Sequence, residues 1–423
     1  MTNKFMLLSL IIYAFLAAGL ITRNGAFLAL AVPVIVYLGA ALLFAPAAPQ
    51  LRVSRTLSHD RATPEQPVTV TVTVTNDGAS LPELMLVDAV SPTLHIIEGA
   101  AGLLTTLDSG ESVEFIYQVL GKRGLYRFSA VSATVSDQFG LFSSQVDLSA
   151  PAQFFVLPEL VKLRRAAIRP RRVGLYSGQI SARQGGPGVE FFGVREYQPG
   201  DPVRWINSRA TARYPQTLFV NEFEQERMVD VGIVVDARRQ SDVQVGSESL
   251  FEYSIQAAAA LAETFLGGGN RVGLLLYGRS INWTFPGYGK VQQERIMRSL
   301  AQAEQGVGEV FERLEHLPTW LFPLHSQIVL ISPLLPGDAE ELIKLRARGY
   351  RVLVISPNPI DFERQTLPDN NQVTLAVRIA QAERDLLFRK LRHAQIRVVD
   401  WPVALPFYQV AHTALSRLPW QRG

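Results

Sequence analysis

The run VDVGIVVD, residues 229–236, decides the fold of the second half of the chain. It is almost continuously apolar and ends in Asp236, which is typical of a strand buried on both faces of a parallel sheet. Similar short runs follow at 271–277, 327–332, 351–356 and 396–401, with helical segments at 250–266, 291–304, 338–348 and 380–394 between them. Strands that alternate with helices predict an open parallel sheet covered by helices on both faces, here over 226–423.

Residues upstream of this run show a different hydrophobic pattern. The stretch VTVTVTVTN, residues 68–76, places four valines on one face and four threonines on the other, which is the period of a half-buried strand. Further β-rich segments lie at 84–90, 113–120, 125–135 and 153–157, and Gly, Pro and Asp separate them. We therefore predict an antiparallel, sandwich-like β domain over 51–157, joined to the α/β domain by a connector over 158–225.

The first fifty residues are strongly apolar. No charged residue occurs from Phe5 to Ile21 or from Ala26 to Ala45, and a polar turn at Arg23 separates the two runs. We predict a hairpin of two transmembrane helices over 1–50, with a cleaved signal peptide as the alternative for the first run. Lys4 precedes the hairpin and Arg52, Arg55 and Arg61 follow it, so the positive-inside rule predicts a multi-pass membrane protein whose soluble domains face the cytoplasm.

Composition and motifs argue against most catalytic chemistry. The chain of 423 residues has no cysteine, a net charge of only +3 and six single, scattered histidines. It contains no GxGxxG after the first strand, no GxxxxGK[ST] and no GxSxG, so the motifs for dinucleotide, P-loop and serine-hydrolase sites are missing from the sequence. Asp236 is the one candidate for ligand binding or catalysis, because ligands bind at the carboxyl ends of strands in open α/β sheets.

The connector contains the stretch VREYQPGDPVRWINSRATAR, residues 194–213. Pro199 and Gly200 occupy the central positions expected of a type II turn. Asp201 before Pro202 predicts a helix N-cap, followed by a short helix over 202–212 that carries Trp205 toward a core.

Arginines accumulate in the connector. Ten arginines and three acidic residues lie between 164 and 213. One interpretation is a docking surface for an acidic partner or anionic lipid, with Arg171, Arg172 and Arg209 as candidate contacts. The alternative is internal pairing with the glutamates at 222, 224 and 226.

The connector and the segment before it resemble a known family. REYQPGD (195–201), Arg204, ARYPQTLFVNEFEQE (212–226) and KRGLYRFSAVSATVSDQFGLF (122–142) are similar to sequences of domain-of-unknown-function family 58. The matching signature positions are Arg195, Tyr197, Pro199, Gly200, Asp201, Arg204 and Arg213. The resemblance implies paired transmembrane helices, a β domain and a von Willebrand factor A-like (Rossmann-like) α/β domain. It also implies a MoxR-type AAA+ ATPase as partner.

A von Willebrand factor A domain often binds Mg²⁺ through an Asp-x-Ser-x-Ser loop, a threonine and a second aspartate. The resemblance places Asp236 in this site and Thr284 at the threonine position. However, Arg238 and Gln240 stand where the serines would be, and Ser332-Pro333 stands in place of Ser-Asp. We therefore expect a degenerate site that binds Mg²⁺ weakly or not at all, and no other cofactor.

These features favour a membrane-anchored interaction or scaffold protein that is not an enzyme and that works with a MoxR-type AAA+ ATPase. One alternative is a membrane-bound hydrolase that uses Asp236. Another is a basic nucleic-acid-binding module, which the basic segment disfavours because it lacks interleaved exposed aromatic residues, so we expect no nucleic-acid partner. The sequence leaves the oligomeric state open.

Overall fold

The computed structural model describes residues 3–43, 49–136, 141–161, 163, 185–214, 216–224, 230–246, 248–278, 281–306, 313–324 and 326–416. These residues fall into two compact units. One comprises 1–159 and 297–303, and the other comprises 160–296 and 304–423.

Within the described ranges the helices are α1 (Asn3–Thr22), α2 (Gly25–Leu43), α3 (Ser208–Arg213), α4 (Leu250–Gly267), α5 (Gly289–Ala301), α6 (Asp338–Ala347), α7 (Pro359–Arg364), α8 (Asn371–His393) and α9 (Phe407–Ser416). The strands of the first unit are β1 (Leu51–Leu57), β2 (Arg61–Ala62), β3 (Val68–Asn76), β4 (Leu81–Asp88), β5 (Leu94–Gly99), β6 (Gly102–Leu107), β7 (Ser112–Gly121), β8 (Gly124–Ser136) and β9 (Ser143–Val156). Those of the second unit are β10 (Gly185–Glu196), β11 (Phe219–Glu224), β12 (Asp230–Asp236), β13 (Gln244–Val245), β14 (Glu248–Ser249), β15 (Arg271–Tyr277), β16 (Ile281–Gly287), β17 (Gln327–Ile331), β18 (Arg351–Pro357) and β19 (Arg397–Trp401).

Helices α1 and α2 confirm the prediction of two apolar helices at the start of the chain. Their segments Lys4–Thr22 and Gly25–Leu42 are long and apolar enough to cross a membrane, with mean hydropathies of 2.3 and 2.2. The polar turn between them is Arg23, which adopts a left-handed conformation with φ of +50°. Pro33 lies within α2 without interrupting it.

The β strands of the first unit form two facing sheets. Strands β1, β3, β7 and β5 form one, and β2, β9, β8, β4 and β6 form the other. Strand β3 alternates strictly between buried valines and half-buried threonines, as the sequence predicts. Inward-facing residues of both sheets, such as Val72, Leu86 and Val131, belong to one hydrophobic cluster, so this part has the layers of a β-sandwich.

A buried ion pair lies inside this sandwich. The guanidinium of Arg55 pairs with Asp88 and lies over the ring of Phe128, and both charged side chains are fully buried. The hydroxyl of Tyr117 donates to Asp88 Oδ2 at 2.7 Å. Burial is the main reason that the pKa of Tyr117 is raised, and the hydrogen bond to Asp88 adds to the effect.

The second unit contains a sheet ordered β16–β15–β12–β17–β18–β19. Strands β15, β12, β17, β18 and β19 run parallel, and β16 pairs antiparallel with β15 at one edge. The sequence predicted the five parallel strands and missed the antiparallel edge strand. Helix α8 begins nine residues before the predicted 380, because Asn370 caps its first turn by accepting from Val373 N at 2.8 Å.

Helices cover this sheet. Helix α4, whose Ala257–Ala260 run is fully buried, packs on β12, β15, β17 and β18. Residues of α6 and α8 join Val234 and Leu330 in a separate hydrophobic cluster. Alternate residues of a strand point to opposite faces of the sheet, and each face is covered by one of these helical layers. The carboxyl ends of β12 and β17 therefore lie between the two layers.

Candidate functional site

Asp236 ends the central strand β12 at the carboxyl edge of the parallel sheet. Its side chain is fully buried. The chain leaves the strand through Ala237, whose N–H donates to Tyr277 O at 2.7 Å. The adjacent Gly278 leaves room for this turn, since a Cβ there would lie 2.3 Å from Ala237 O. The backbone therefore fixes Asp236 at the place where ligands bind in open α/β sheets.

The Arg238 guanidinium lies between two aspartates. Its Nε and Nη2 donate to Asp236 Oδ1 at 2.8 Å and Oδ2 at 2.7 Å. Its Nη1 and Nη2 donate to Asp338 Oδ1 at 3.1 Å and Oδ2 at 2.8 Å. Only 3% of the Arg238 side chain is exposed, so a buried Asp–Arg–Asp cluster joins the end of β12 to the start of α6.

Ser332, just after β17, completes the hydrogen bonding of Asp236. Its hydroxyl donates to Asp236 Oδ2 at 2.7 Å and accepts from Leu334 N at 3.0 Å. Leu334 adopts a left-handed conformation with φ of +66°, which is uncommon for a residue with a branched side chain. This backbone geometry turns the chain from the end of β17 toward Asp338.

Asp236 has no free acceptor position in this arrangement. Oδ1 accepts from the Arg238 backbone N–H at 3.1 Å and from its Nε, while Oδ2 accepts from Nη2 and from Ser332 Oγ. A carboxylate offers about four acceptor positions, and these four bonds fill them. The geometry therefore leaves Asp236 no lone pair for a metal ion or for a proton taken from a substrate.

Burial and the charges of the cluster shift the pKa values of Arg238 and Asp338. Burial opposes the charge of Arg238, but the hydrogen bonds and charges of Asp236 and Asp338 outweigh it, and the pKa of Arg238 is raised. Burial also raises the pKa of Asp338, against the opposing effect of Arg238. Asp338 is the first residue of α6 and accepts from Leu335 N at 2.8 Å, so the positive end of the helix also stabilises its charge.

The other residues expected at a metal site lie elsewhere. Thr284 is on the edge strand β16 opposite Leu274, and strand β15 separates it from β12. Arg239 and Gln240 are exposed in a single 3₁₀ turn after Arg238. Within the described ranges, no group of three or more His, Asp or Glu is placed to hold a metal ion.

Asp338 is the member of the cluster that the sequence did not identify. It lies 100 residues after Arg238, and only the packing of α6 against the sheet brings the two together. The sequence did contain one indication of its position. Asp338 follows Pro336 and Gly337 at the start of a predicted helix that comes after a parallel strand. Such a position lies at the carboxyl edge of the sheet, which is the edge where Asp236 lies.

The signature segment forms a separate structure in this unit, a β10–β11 ribbon with a turn at its end. Asp201 N donates to Gln198 O at 3.0 Å, and Gly200 has φ of +111°, as a type II turn requires. Arg195 pairs with Asp201 through two hydrogen bonds of 2.7 Å.

The predicted N-cap role of Asp201 is wrong. Its carboxylate accepts from Arg195 and from Gln198 N at 2.8 Å within the turn. The helix predicted over 202–212 is instead a 3₁₀ turn at Val203–Trp205 followed by α3, which Asn207 caps by accepting from Ala210 N at 3.0 Å. Trp205 is half-buried rather than part of a core. The pairing with Arg195 was the stronger interaction available to Asp201.

The remaining signature and candidate contact residues are mostly at the surface. Tyr197 is half-buried and its N–H donates to Leu218 O at 2.8 Å, whereas Pro199 is exposed. Arg204, Arg209 and Arg213 are exposed on the 3₁₀ turn and α3. Arg171 and Arg172 lie outside the described residues, as do the side chains of the three glutamates proposed to pair with the arginines.

The sheet, the buried cluster and most of the ribbon fall in a region that matches one family model. Residues 193–402 match the family model "Protein of unknown function DUF58". The matched region runs from the second half of β10 to the residue after β19, so it includes Arg195, Asp201 and every member of the Asp–Arg–Asp cluster.

Two similar curated proteins are described only as uncharacterized. An uncharacterized protein of Mycobacterium bovis and one of Mycobacterium tuberculosis are each 32% identical to this chain over 199 residues. The match covers 45% of this chain and 61% of each relative, so the chain spans less than two thirds of the length of these proteins.

Solved structures give only distant similarity. Proximal thread matrix protein 1 from the mussel byssus is 16% identical, with a TM-score of 0.23, over 31% of this chain and 38% of that one. The major pilin subunit of Bacillus cereus is 8% identical, with a TM-score of 0.21, over 28% of this chain and 44% of the pilin. Such scores carry no argument about fold or function.

Proposed function

We propose that this chain is a membrane-tethered scaffold protein of the DUF58 family whose α/β domain is von Willebrand factor A-like and binds its partner without a metal ion. The observation that carries the proposal is the guanidinium of Arg238 between Asp236 and Asp338. It supplies a fixed positive charge at the carboxyl edge of the sheet, where this type of domain holds Mg²⁺.

A fixed arginine suits a scaffold better than a catalyst. The cluster connects the loops after β12 and β17 with the start of α6 through hydrogen bonds of 2.7–3.1 Å. Loops held together in this way present a constant surface at the sheet edge, whatever the concentration of divalent ions. The four hydrogen bonds on Asp236 argue against the alternative of a hydrolase that uses this carboxylate.

The tether is formed by α1 and α2, which we propose to be a multi-pass membrane anchor. Lys4 before the hairpin and the arginines at 52, 55 and 61 after it support a cytoplasmic location for the rest of the chain. In that location the scaffold meets cytoplasmic partners, and the resemblance to family 58 favours a MoxR-type AAA+ ATPase among them.

The arginine-rich connector is the contact that we propose for the ATPase. Three of its arginines, at 204, 209 and 213, are exposed, and the excess of positive charge continues upstream to residue 164. Electrostatic contacts of this kind accelerate association and weaken as salt screens them.

A pull-down tests the partner and its contact together. Full-length protein in membranes or detergent is used to capture the MoxR-type ATPase of the same organism at two salt concentrations. We expect capture by the wild type to fall at high salt, and capture by the double variant Arg171→Glu/Arg172→Glu to be weaker and less salt-sensitive. The matched control is Arg348→Glu/Arg364→Glu, which reverses two exposed arginines of the α/β domain.

The outcomes separate the two parts of the proposal. Equal capture by the wild type and the Arg171/Arg172 variant removes this segment from the interface. Equal loss in both double variants means that net charge, rather than this segment, governs capture. Failure of the wild-type protein to capture the ATPase at either salt concentration contradicts the proposed partner.

A further inference from the structure

Helix α8 has an apolar stripe on its outer face. Leu375, Ile379 and Leu386 are 60%, 53% and 58% exposed, and Ala382 between them is also exposed. The inner face of the same helix buries Val377, Phe388 and Leu391 against the α/β unit. At 100° per residue the stripe lies almost opposite the buried face, so it is not the margin of the core.

The spacing of the stripe is that of a coiled-coil seam. Its four residues follow one another at intervals of four, three and four, which places Leu375 and Ala382 at d positions and Ile379 and Leu386 at a positions of a heptad. Over about 17 Å this is a short seam. The helix is already folded on its domain, so pairing requires no further ordering of the backbone.

The flanking charges identify the partner. Arg378 and Asp385 occupy g positions, and Glu383 and Lys390 occupy e positions; all four side chains are exposed. In a parallel pair of helices a g residue lies beside the e residue five positions later in the partner. Arg378 would then face Glu383 of a second copy, and Asp385 would face Lys390, so both contacts join opposite charges.

An antiparallel pair fits the same charges less well. It sets g beside g and e beside e, and the register that places Leu375 opposite Leu386 pairs Arg378 with Asp385 but sets Glu383 beside Ala376, so Glu383 gains no opposite charge.

We propose that the outer face of α8 is a self-association surface, on which a second copy of this chain docks its own α8 in parallel. The seam is short, so the contact is weak and suits copies held at high local concentration. This inference does not depend on the metal-free site or on an ATPase partner.

Cysteine cross-linking is suited to a weak contact, and the chain contains no cysteine that would give a background signal. The full-length variant Leu386→Cys is oxidised in its native membranes, and disulfide-linked dimer is measured on a non-reducing gel. Same-numbered a residues face each other in a parallel pair, so we expect dimer at least several-fold above the level of Gln381→Cys. Gln381 is an exposed residue of α8 outside the stripe.

Charge reversal then tests the pairing. Adding Arg378→Glu to Leu386→Cys should lower the dimer yield several-fold, and adding Glu383→Arg as well should restore it, because the two contacts are then reversed together. Equal yields for Leu386→Cys and Gln381→Cys, or no recovery in the doubly reversed protein, would overturn the proposal. So would preferential cross-linking between Leu375→Cys and Leu386→Cys chains expressed together, since that pattern belongs to an antiparallel pair.

Discussion

Arg238 compensates the charges of two buried carboxylates. Two buried carboxylates near one another repel, and each needs a positive partner to remain buried. The guanidinium meets both Asp236 and Asp338 with paired hydrogen bonds that match the planar geometry of a carboxylate. Removing one partner of such a buried set typically costs about 3–5 kcal/mol, because the remaining charges lose their compensation.

Replacing Arg238 with serine should therefore create a metal requirement. In the presence of a chelator, Arg238→Ser is expected to lower the free energy of unfolding by about 3–5 kcal/mol. The serine and the released carboxylates of Asp236 and Asp338 provide oxygen ligands, so Mg²⁺ at 100 times its Kd should restore about 2.7 kcal/mol. Thermal and chemical denaturation with and without Mg²⁺ measure both effects.

The neighbouring exposed Arg239 supplies the control for this experiment. Arg239→Ser and the wild-type protein should show the same stability with Mg²⁺ and with chelator. If Arg238→Ser is destabilised but gains nothing from Mg²⁺, the two carboxylates do not converge on an ion position.

Asp201 should make stability depend on pH at the acid end. Hydrogen bonding to Arg195, followed by that to Gln198 N, lowers the pKa of Asp201 below its ordinary value of 3.8. A lowered folded-state pKa means that the stabilisation is present above pH 3.8 and is lost as the pH falls through the folded-state value. Asp201→Asn should thus be less stable than the wild type at pH 7, and the difference should shrink below pH 3.8.

Denaturant melts of both proteins between pH 7 and pH 3 measure this difference. The variant Asp60→Asn is a suitable comparison, because Asp60 also has a lowered pKa from an adjacent arginine, Arg61, but lies at the surface of the other unit. A stability difference for Asp201→Asn that stays constant across this pH range would show that the Arg195 pair does not set its pKa.

Strand β12 lies between β15 and β17 in the sheet of the α/β unit, and its one glycine has a packing role. A Cβ at Gly232 would lie 2.2 Å from Cε1 of Phe322. That ring is buried and meets Trp283 edge-on, with centroids 5.0 Å apart. The ring of Phe322 thus takes the space that a side chain on the strand would fill.

Gly232→Ala should accordingly destabilise the protein. Moving a buried ring to admit a methyl group typically costs about 1–3 kcal/mol. Phe322→Leu makes space at the same place, so the double variant should lose less stability than the sum of the two single variants. Chemical denaturation of all four proteins gives the coupling. Strict additivity would mean that the ring is not what excludes the methyl group.

Hydrophobic patterns within a single segment of the sequence predicted the main strands well. The alternation in β3 and the apolar runs of β12, β15, β17, β18 and β19 fixed their position and type, because burial on one or two faces leaves a period in the sequence. The two-residue strands and the edge strand β16 carry a weaker pattern, since three residues of β16 are exposed and the other four only half-buried.

Interactions between distant residues were beyond these patterns. The sequence identified Asp236, Arg238 and Ser332 as one altered site, but it gave no register that would bring Asp338 to them. The same limit applies to Asp201: a helix cap is a local inference, whereas its pairing with Arg195 depends on how the turn closes. In both cases the hydrogen-bond partner of the aspartate depends on which side chains the tertiary fold brings close to it.

At the scale of the whole molecule, the two apolar helices α1 and α2 precede every strand of the chain that the structure describes. Their flanking charges predict that the turn at Arg23 lies outside the cytoplasm and that everything after α2 lies inside. The absence of native cysteine from the sequence makes this orientation measurable with single introduced thiols.

Thiol labelling in intact cells should distinguish the two sides. Asn24→Cys, in the turn between α1 and α2, is expected to react with a membrane-impermeant maleimide. Glu83→Cys, at an exposed position of β4, is expected to react only after the membrane is permeabilised. Labelling of Glu83→Cys in intact cells, at the rate seen for Asn24→Cys, would reverse the predicted topology.

The Asp–Arg–Asp cluster also constrains how this protein can diverge from its ancestors. Loss of Arg238 alone leaves two buried carboxylates without a compensating charge. Loss of either aspartate leaves the guanidinium with one carboxylate instead of two. Each single replacement therefore gives a less stable protein. If Arg238→Ser binds Mg²⁺ as expected above, the first of these losses is the one that an ion from outside the chain can compensate. Replacement of the arginine would then be tolerated where Mg²⁺ is plentiful and costly where it is scarce, whereas replacement of either aspartate would be costly at any Mg²⁺ concentration.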